Sequence, residues 1–397
     1  MTATPARQGT RILHITRNLP PLVGGMERLN WHIADELAGM AEVHVVGPEG
    51  AAARRPEAVS LSEVPLRPLW RFLCRSAWQA LLDARRLRPD IVVAGSGLTA
   101  PAALLAARLT GARACVYLHG LDVGVQHPVY RALWHPAIRR MDLVIANSQP
   151  TAALARALNL DDRKLAVVHP GVTLPAAAQD SEALQDFRRR HGLGEARLLL
   201  SVGRLTSRKG LREFVRHALP AIVREAPDTL LTVIGEAPAD ALHADVQSRD
   251  SIQAAADEAG VGEHLRFLGV ITDPKQLACA YESAAVHVFP VRQLPGDPEG
   301  FGMVAIEAAA HGLPTVAFAT GGIVDAVADG QSGCLVRPGD YDGLARAVLR
   351  VLADGTPAWQ ARARHFARDF AWPAFGEKMR NTLRMALPPA RSGSAAR

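Results

Sequence analysis

The sequence predicts an α/β protein made of two doubly wound parallel-sheet domains. Three observations carry that expectation. Short, near-continuous apolar runs alternate with helix-length stretches, the pattern of parallel strands covered on both faces. The runs fall into two series of six. The 397-residue length suits two ordinary domains, and a hydrophobic content of 48% is ample for two cores.

Taken in order, the first series is RILHIT (11–16), AEVHVVG (41–47), DIVVAG (90–95), ARACVYLHG (112–120), DLVIANS (142–148) and KLAVVHPGV (164–172). After the first run, Met26, Leu29, Ile33 and Leu37 fall on one face of a helix. The polar stretch 173–185 reads as a linker whose second half turns helical. The second series is RLLLSVGR (197–204), TLLTVIGE (229–236), HLRFLG (264–269), VHVFPV (286–291), PTVAFA (314–319) and GCLVRPG (333–339). Leu211, Phe214, Val215, Ala218, Leu219, Ile222 and Val223 then keep helical period and predict one helix. Residues 357–386 predict a helix broken near Pro373, followed by a disordered tail, 388–397. The expected division is 1–180, 181–370 and 371–397.

Lys and Arg number 45 against 39 Asp and Glu, a net charge of +6. That excess suits nucleotides, phosphates or acidic lipid surfaces and does not single out nucleic acid, which is not expected as a partner. Cys74, Cys115, Cys279 and Cys334 are widely spaced, so they read as buried thiols in a reducing compartment. No run has the length of a membrane span and the N-terminus lacks the build of a signal peptide. A cytoplasmic location is therefore expected.

Ligands of doubly wound sheets bind beyond the carboxyl ends of the strands. Four stretches fall there. In NLPPLVGGMERL, Gly24 and Gly25 precede a helix and can bring backbone N–H groups to a phosphate or simply form a turn. The dinucleotide pattern G-x-G-x-x-G is absent there, which disfavours a dehydrogenase. In YLHGLDV, His119 ends a strand, and Asp122 either orients it or caps a helix. In SVGRLTSRKGL, Arg204 leaves a strand and Lys209 opens a helix, an arrangement suited to a diphosphate. In DPEGFGMVAIEAAAHGLP, Glu299 precedes a short apolar helix and Glu307 lies inside it. A carboxylate there needs hydrogen-bond donors, which sugar hydroxyls provide.

These four elements together resemble the retaining glycosyltransferases of family 4, which have the GT-B fold. The resemblance runs from about residue 11 to 350. It implies two Rossmann-like domains facing across a cleft, with an N-terminal acceptor domain and a C-terminal donor domain for a nucleotide sugar. By it, Arg204 and Lys209 hold the diphosphate, Glu307 the ribose, and Glu299 the sugar hydroxyls. Phe301, Gly302 and Met303 supply backbone N–H groups, and the base lies near Val270. His119 reaches the donor sugar, Gly24 and Gly25 close over the phosphates, and the final helix returns to the N-terminal domain. The implied reaction moves a hexose from a UDP- or GDP-linked donor to a glycan or lipid-linked acceptor of bacterial surface polysaccharide, lipopolysaccharide or glycolipid, with retention. The sequence carries no Asp-x-Asp of the metal-dependent kind, so no metal or other cofactor is expected. One departure stands out: Arg292 and Asp297 sit where many members of that family carry a short serine-rich turn.

Residues 66–88 carry six arginines and one acid, Asp83, with Trp70, Leu73, Ala77 and Leu81 near helical spacing. The stretch reads as an interfacial helix for anionic lipid, hence a peripheral membrane contact, or as an ordinary amphipathic helix with a basic rim. The competing functional classes are a nucleotide-sugar epimerase and a non-catalytic nucleotide-sugar-binding protein.

Overall fold

A computed structural model describes residues 9–237 and 246–387. The chain forms two compact units. The first comprises Met1–Gly171 and Trp372–Arg397, the second Val172–Ala371. The sequence reading placed the first change of unit at 180; here the chain leaves unit one at Gly171, nine residues earlier. A single parallel bridge between Val172 and Ala371 joins the two ends of the second unit.

The first unit is a seven-stranded parallel sheet. Its strands are β1 (Thr10–Ile15), β2 (Ala41–Pro48), β3 (Ser60–Val64), β4 (Ile91–Ala94), β5 (Arg113–Leu118), β6 (Leu143–Ala146) and β7 (Leu165–Val167). Their order is β3-β2-β1-β4-β5-β6-β7. The central strands are apolar because both of their faces are covered: every residue of β4 and β6 is buried. β3 was not foreseen. It is an edge strand, SLSEV, in which only Val64 is buried, so it has no apolar run to announce it. The helix Ala100–Thr110 presents Ala103, Ala106 and Ala107 to the core, and such small side chains let it pack closely.

The second unit is a six-stranded parallel sheet of β8 (Arg197–Val202), β9 (Thr229–Ile234), β10 (Leu265–Gly269), β11 (Val286–Phe289), β12 (Thr315–Phe318) and β13 (Gly333–Val336). The order is β10-β9-β8-β11-β12-β13. The single helix expected over 211–223 is two, Leu211–His217 and Leu219–Glu225. Pro220 has no N–H to extend the first and sits well in the first turn of the second. The apolar stripe survives the break: Leu211, Phe214, Val215, Leu219 and Ile222 all lie in one core.

The C-terminal helices are Thr356–Arg368 and Trp372–Ala386. The second packs within the first unit. Its Trp372 stacks on His32 at 3.7 Å and 12°. A Cβ on Gly171 would lie 2.2 Å from that indole. Arg380 Nη1 donates to the Glu36 carboxylate at 3.0 Å. Burial, with Arg28 nearby, lowers the His32 pKa to about 4, so a neutral imidazole stacks there at physiological pH. The tail 388–397, expected to be disordered, lies outside the described residues. Cys115, Cys279 and Cys334 are buried, but Cys74 is exposed, contrary to expectation, because it lies on the outer face of its helix.

In each sheet the winding reverses once, between β1 and β4 and between β8 and β11. Loops leaving those paired strands diverge to opposite sides and leave a crevice for ligands.

Candidate active site

The second unit's crevice holds a cluster of charges. After β8, Gly203 adopts φ +144° and the chain turns through Arg204 to Gly210, at φ +70°. A Cβ on Gly210 would lie 2.2 Å from the carbonyl oxygen of Pro290, so only glycine lets this turn meet the loop that follows β11. That contact brings the two loops together. The Arg292 N–H donates to the Arg208 carbonyl at 2.8 Å, and the Arg292 guanidinium pairs with Glu213 at 3.0 Å.

Glu299 sits where the loops join. Its Oε2 accepts from Lys209 Nζ at 2.8 Å and forms an ion pair with Arg208 Nη1. Arg208 Nε also faces Asp297 Oδ1 at 3.1 Å. Burial alone would raise the Glu299 pKa; Arg208, Lys209 and the nearby Arg204 outweigh it and hold the carboxyl at about 2. Burial likewise lowers the Lys209 pKa, partly opposed by Glu299. For Arg208 the two carboxylates overcome desolvation and the pKa rises. Lys209 Nζ also lies 4.6 Å from the centre of the Phe289 ring, a cation–π contact. Glu299 is therefore a carboxylate across the neutral range.

The Glu299 backbone is fixed as well. Its carbonyl accepts from Gly322 N–H at 2.9 Å. Phe301 is buried, and Gly302 takes φ +90° to start the helix Met303–Ala310. The first N–H groups of that helix have no acceptor within it, which gives its start a positive end. On its inner face Ala305, Ile306, Ala308 and Ala309 are buried, so the run of small residues seats the helix on the sheet. Glu307, one turn in, accepts from the Tyr281 hydroxyl at 3.1 Å. Tyr281 stacks on His311, and His311 Nδ1 lies 2.8 Å from Glu282. Val270 is exposed just beyond β10.

In the first unit, His119 is buried at the end of β5. Its Nε2 lies 2.8 Å from the Gly95 carbonyl, at the end of β4. Bonding to that carbonyl assigns the proton to Nε2. Asp122 accepts from the His119 backbone N–H at 2.9 Å rather than from its imidazole, and the helix Leu121–Gly124 has no side-chain cap. Gly24 and Gly25 lead into the helix Gly25–Ala38. Glu27 in its first turn accepts from Asn18 Nδ2 at 2.6 Å, and a Cβ on Gly24 would lie 2.4 Å from the Glu27 carboxylate.

Comparison with known proteins gives the family. A family profile described as Glycosyltransferase Family 4 matches residues 23–174, and one described as Glycosyl transferases group 1 matches 196–354. Over 388 residues the chain is 31% identical to the GDP-mannose-dependent alpha-(1-6)-phosphatidylinositol monomannoside mannosyltransferase of Mycolicibacterium smegmatis, covering 94% of this chain and 98% of that one. The chain belongs to the family 4 (group 1) glycosyltransferases. It is also 27% identical over 424 residues to the D-inositol 3-phosphate glycosyltransferase of Nocardiopsis dassonvillei, covering 98% and 96% of the two chains. The crystal structure of Anabaena HepE in complex with UDP-glucose superposes on the glycosyltransferase with a TM-score of 0.76 at 19% identity, covering 94% of this chain and 99% of that one. WaaG, a glycosyltransferase involved in lipopolysaccharide biosynthesis, gives 0.67 at 20% identity, covering 92% and 98%. The fold is GT-B.

The structure thus gathers Lys209 and Glu299 directly, with Arg204 close enough to act on both electrostatically. Phe301, Gly302, Met303 and Glu307 follow on the same loop and helix. His119, Gly24 and Gly25 belong to the glycosyltransferase's other unit. Sequence reasoning missed Arg208 and Tyr281. Arg208 stands directly beside Lys209, where a second basic residue carries no separate signal in the sequence. Tyr281 lies 26 positions before Glu307, and nothing in its local sequence signals the contact.

Proposed function

We propose that this glycosyltransferase moves a hexose from a nucleoside diphosphate sugar to a lipid-linked or glycan acceptor, with retention of anomeric configuration. The observation that carries the reading is the Arg204–Lys209 turn meeting Glu299 at the second unit's switch point. Cations and helix N–H groups fixed in advance stabilise the charge that develops on a departing diphosphate. In this reading Arg204 and Lys209 take the diphosphate, so Lys209 leaves Glu299 for the phosphate. Phe301, Gly302 and Met303 add backbone donors, and Glu299 turns to the sugar hydroxyls. Glu307, steadied by Tyr281, takes the ribose, and Val270 lies against the base. Gly24, Gly25 and His119 are the ligand-contacting residues of the first unit. No divalent metal is required, because side-chain cations supply the charge. One relative is named as a GDP-mannose-dependent phosphatidylinositol monomannoside mannosyltransferase, and the HepE crystal structure is a complex with UDP-glucose. Both favour a hexosyl donor.

The reaction proceeds on one face of the sugar. The C1–phosphate bond breaks, the acceptor oxygen bonds C1 from the same side, and the acceptor proton passes to the departing phosphate oxygen.

The acceptor reading draws support from the helix Leu69–Leu87. Its inner face buries Phe72, Ala80 and Ala84, and Asp83 is turned inward to His44 and Gln79. Its outer face shows Trp70 at 68% and Trp78 at 61% exposure, with Leu82 continuing the stripe among Arg71, Arg75, Arg85 and Arg86. Exposed indoles beside arginines match an anionic lipid surface. Among the described residues no helix is long and apolar enough to cross a membrane, so the contact is peripheral in this reading.

The test is a panel of UDP-, GDP- and dTDP-hexoses offered with anionic-lipid acceptors, the product's anomeric centre read by NMR. Acceptor-dependent transfer with retention is expected. Inversion, or turnover of UDP-N-acetylhexosamine without acceptor, would overturn the reading.

A further inference from the structure

Arg208 and Asp297 are not accounted for by the roles above. Their placement is specific. Arg208 lies between two carboxylates, with Nη1 on Glu299 and Nε 3.1 Å from Asp297 Oδ1. Its guanidinium is largely buried, and Arg208 and Asp297 belong to different loops. Leu294 and Asp297 close the β11 loop with a bridge of their own, which fixes where the Asp297 side chain starts. Arg292 ties the same loop to the Arg208 carbonyl and to Glu213.

The charges nearby are Arg204, Arg208 and Lys209 against Asp297 and Glu299, a local balance of one positive charge. A ligand diphosphate competes for the cations. If Arg208 were loose it would follow Lys209 to the phosphate and leave Glu299 without an anchor. Asp297 opposes that through its ion pair with the other edge of the guanidinium, where Nε lies 3.1 Å away but is not aligned for a hydrogen bond. A planar guanidinium can serve two carboxylates at once, which an ammonium cannot do with the same fixed geometry.

We propose that Asp297 is a positioning residue that keeps Arg208 on Glu299, so that Glu299 is presented to the donor sugar while Lys209 alone is released to the diphosphate. The inference rests on the proposed donor site and assigns the division of labour within it. It makes the Arg292–Asp297 segment a control on sugar positioning and on release of the nucleoside diphosphate product.

Asp297→Asn tests it, because the two expected effects have opposite signs. Freed Arg208 adds a full charge to the phosphate subsite, so UDP and GDP, whichever binds the wild type, should inhibit the variant about fivefold or more tightly. At the same time kcat with the nucleotide sugar should fall at least about tenfold, since Glu299 loses its fixed geometry. Asp297→Glu, which restores the charge, should move both values back toward wild type. A variant in which diphosphate affinity falls together with kcat has merely lost structure, and that result overturns the proposal. So does a variant with both values unchanged. If the wild type binds neither UDP nor GDP, the donor site itself is refuted and the inference falls with it. Wild-type binding without the opposed response refutes the inference alone.

Discussion

Replacing Glu299 by Gln removes a negative charge held between Lys209 and Arg208. The depressed pKa sets the order of magnitude of the effect. A carboxyl held at about 2 instead of its ordinary 4.5 favours the folded state by about 3 kcal/mol at neutral pH. The sign follows from the direction of the shift. Because the folded-state pKa is depressed, the contribution is complete above about pH 4.5 and is lost as pH falls toward about 2. Glu299→Gln should therefore cost about 3 kcal/mol at pH 7 but only about 1 kcal/mol at pH 3. Urea unfolding followed by circular dichroism at pH 7, 5 and 3 measures the gap. Peptide-level hydrogen exchange at pH 7 should place the loss in Val172–Ala371. Wild-type and variant curves that stay parallel from pH 7 to pH 3 would refute the ion-cluster account. The cost follows from what is left behind, because removing the carboxylate leaves Lys209 and Arg208 largely buried without their shared partner.

Gly302→Ala should destabilise the second unit by about 2 kcal/mol or more, read as a drop in its unfolding temperature. The residue sits at φ +90° and a Cβ would lie 2.9 Å from the Phe289 ring; a drop below half that size would discount the strain. Changing Trp70 and Trp78 together to Ser should abolish sedimentation with vesicles rich in phosphatidylglycerol at low salt while leaving the circular dichroism spectrum intact. Equal binding of wild type to neutral and anionic vesicles would remove the membrane contact. EDTA should leave transfer activity within about twofold of the untreated enzyme, since in the proposed site Arg204 and Lys209 meet the diphosphate; abolition restored by Mg2+ would contradict a metal-free site.

Much of the fold was legible because parallel strands buried on both faces leave apolar runs that stand out from the helices between them. β3 left no such trace: it pairs on one side only and buries one residue. The break between the helices Leu211–His217 and Leu219–Glu225 was hidden for the opposite reason, since the apolar period runs through it and Pro220 was its only marker. At the site, Lys209 and Glu299 were visible because each follows a strand end and stands out by charge. What could not be read was that Arg208 would bind both Glu299 and Asp297. That depends on how closely two loops approach, and the approach is set by Gly210 against the Pro290 carbonyl. The unusual residues Arg292 and Asp297 were noticed as a departure, but their partners, Glu213 and Arg208, emerge only from the packing.

The central claim is that the turn from Arg204 to Lys209 receives the diphosphate of a nucleotide sugar. Isothermal titration of the wild type, Arg204→Ala and Lys209→Ala with the preferred donor, paired with turnover, tests it most directly. The account predicts donor binding by the wild type and a loss in kcat/KM equivalent to about 2–4 kcal/mol in each variant, with the fold retained. Near-wild-type turnover in both variants would contradict it.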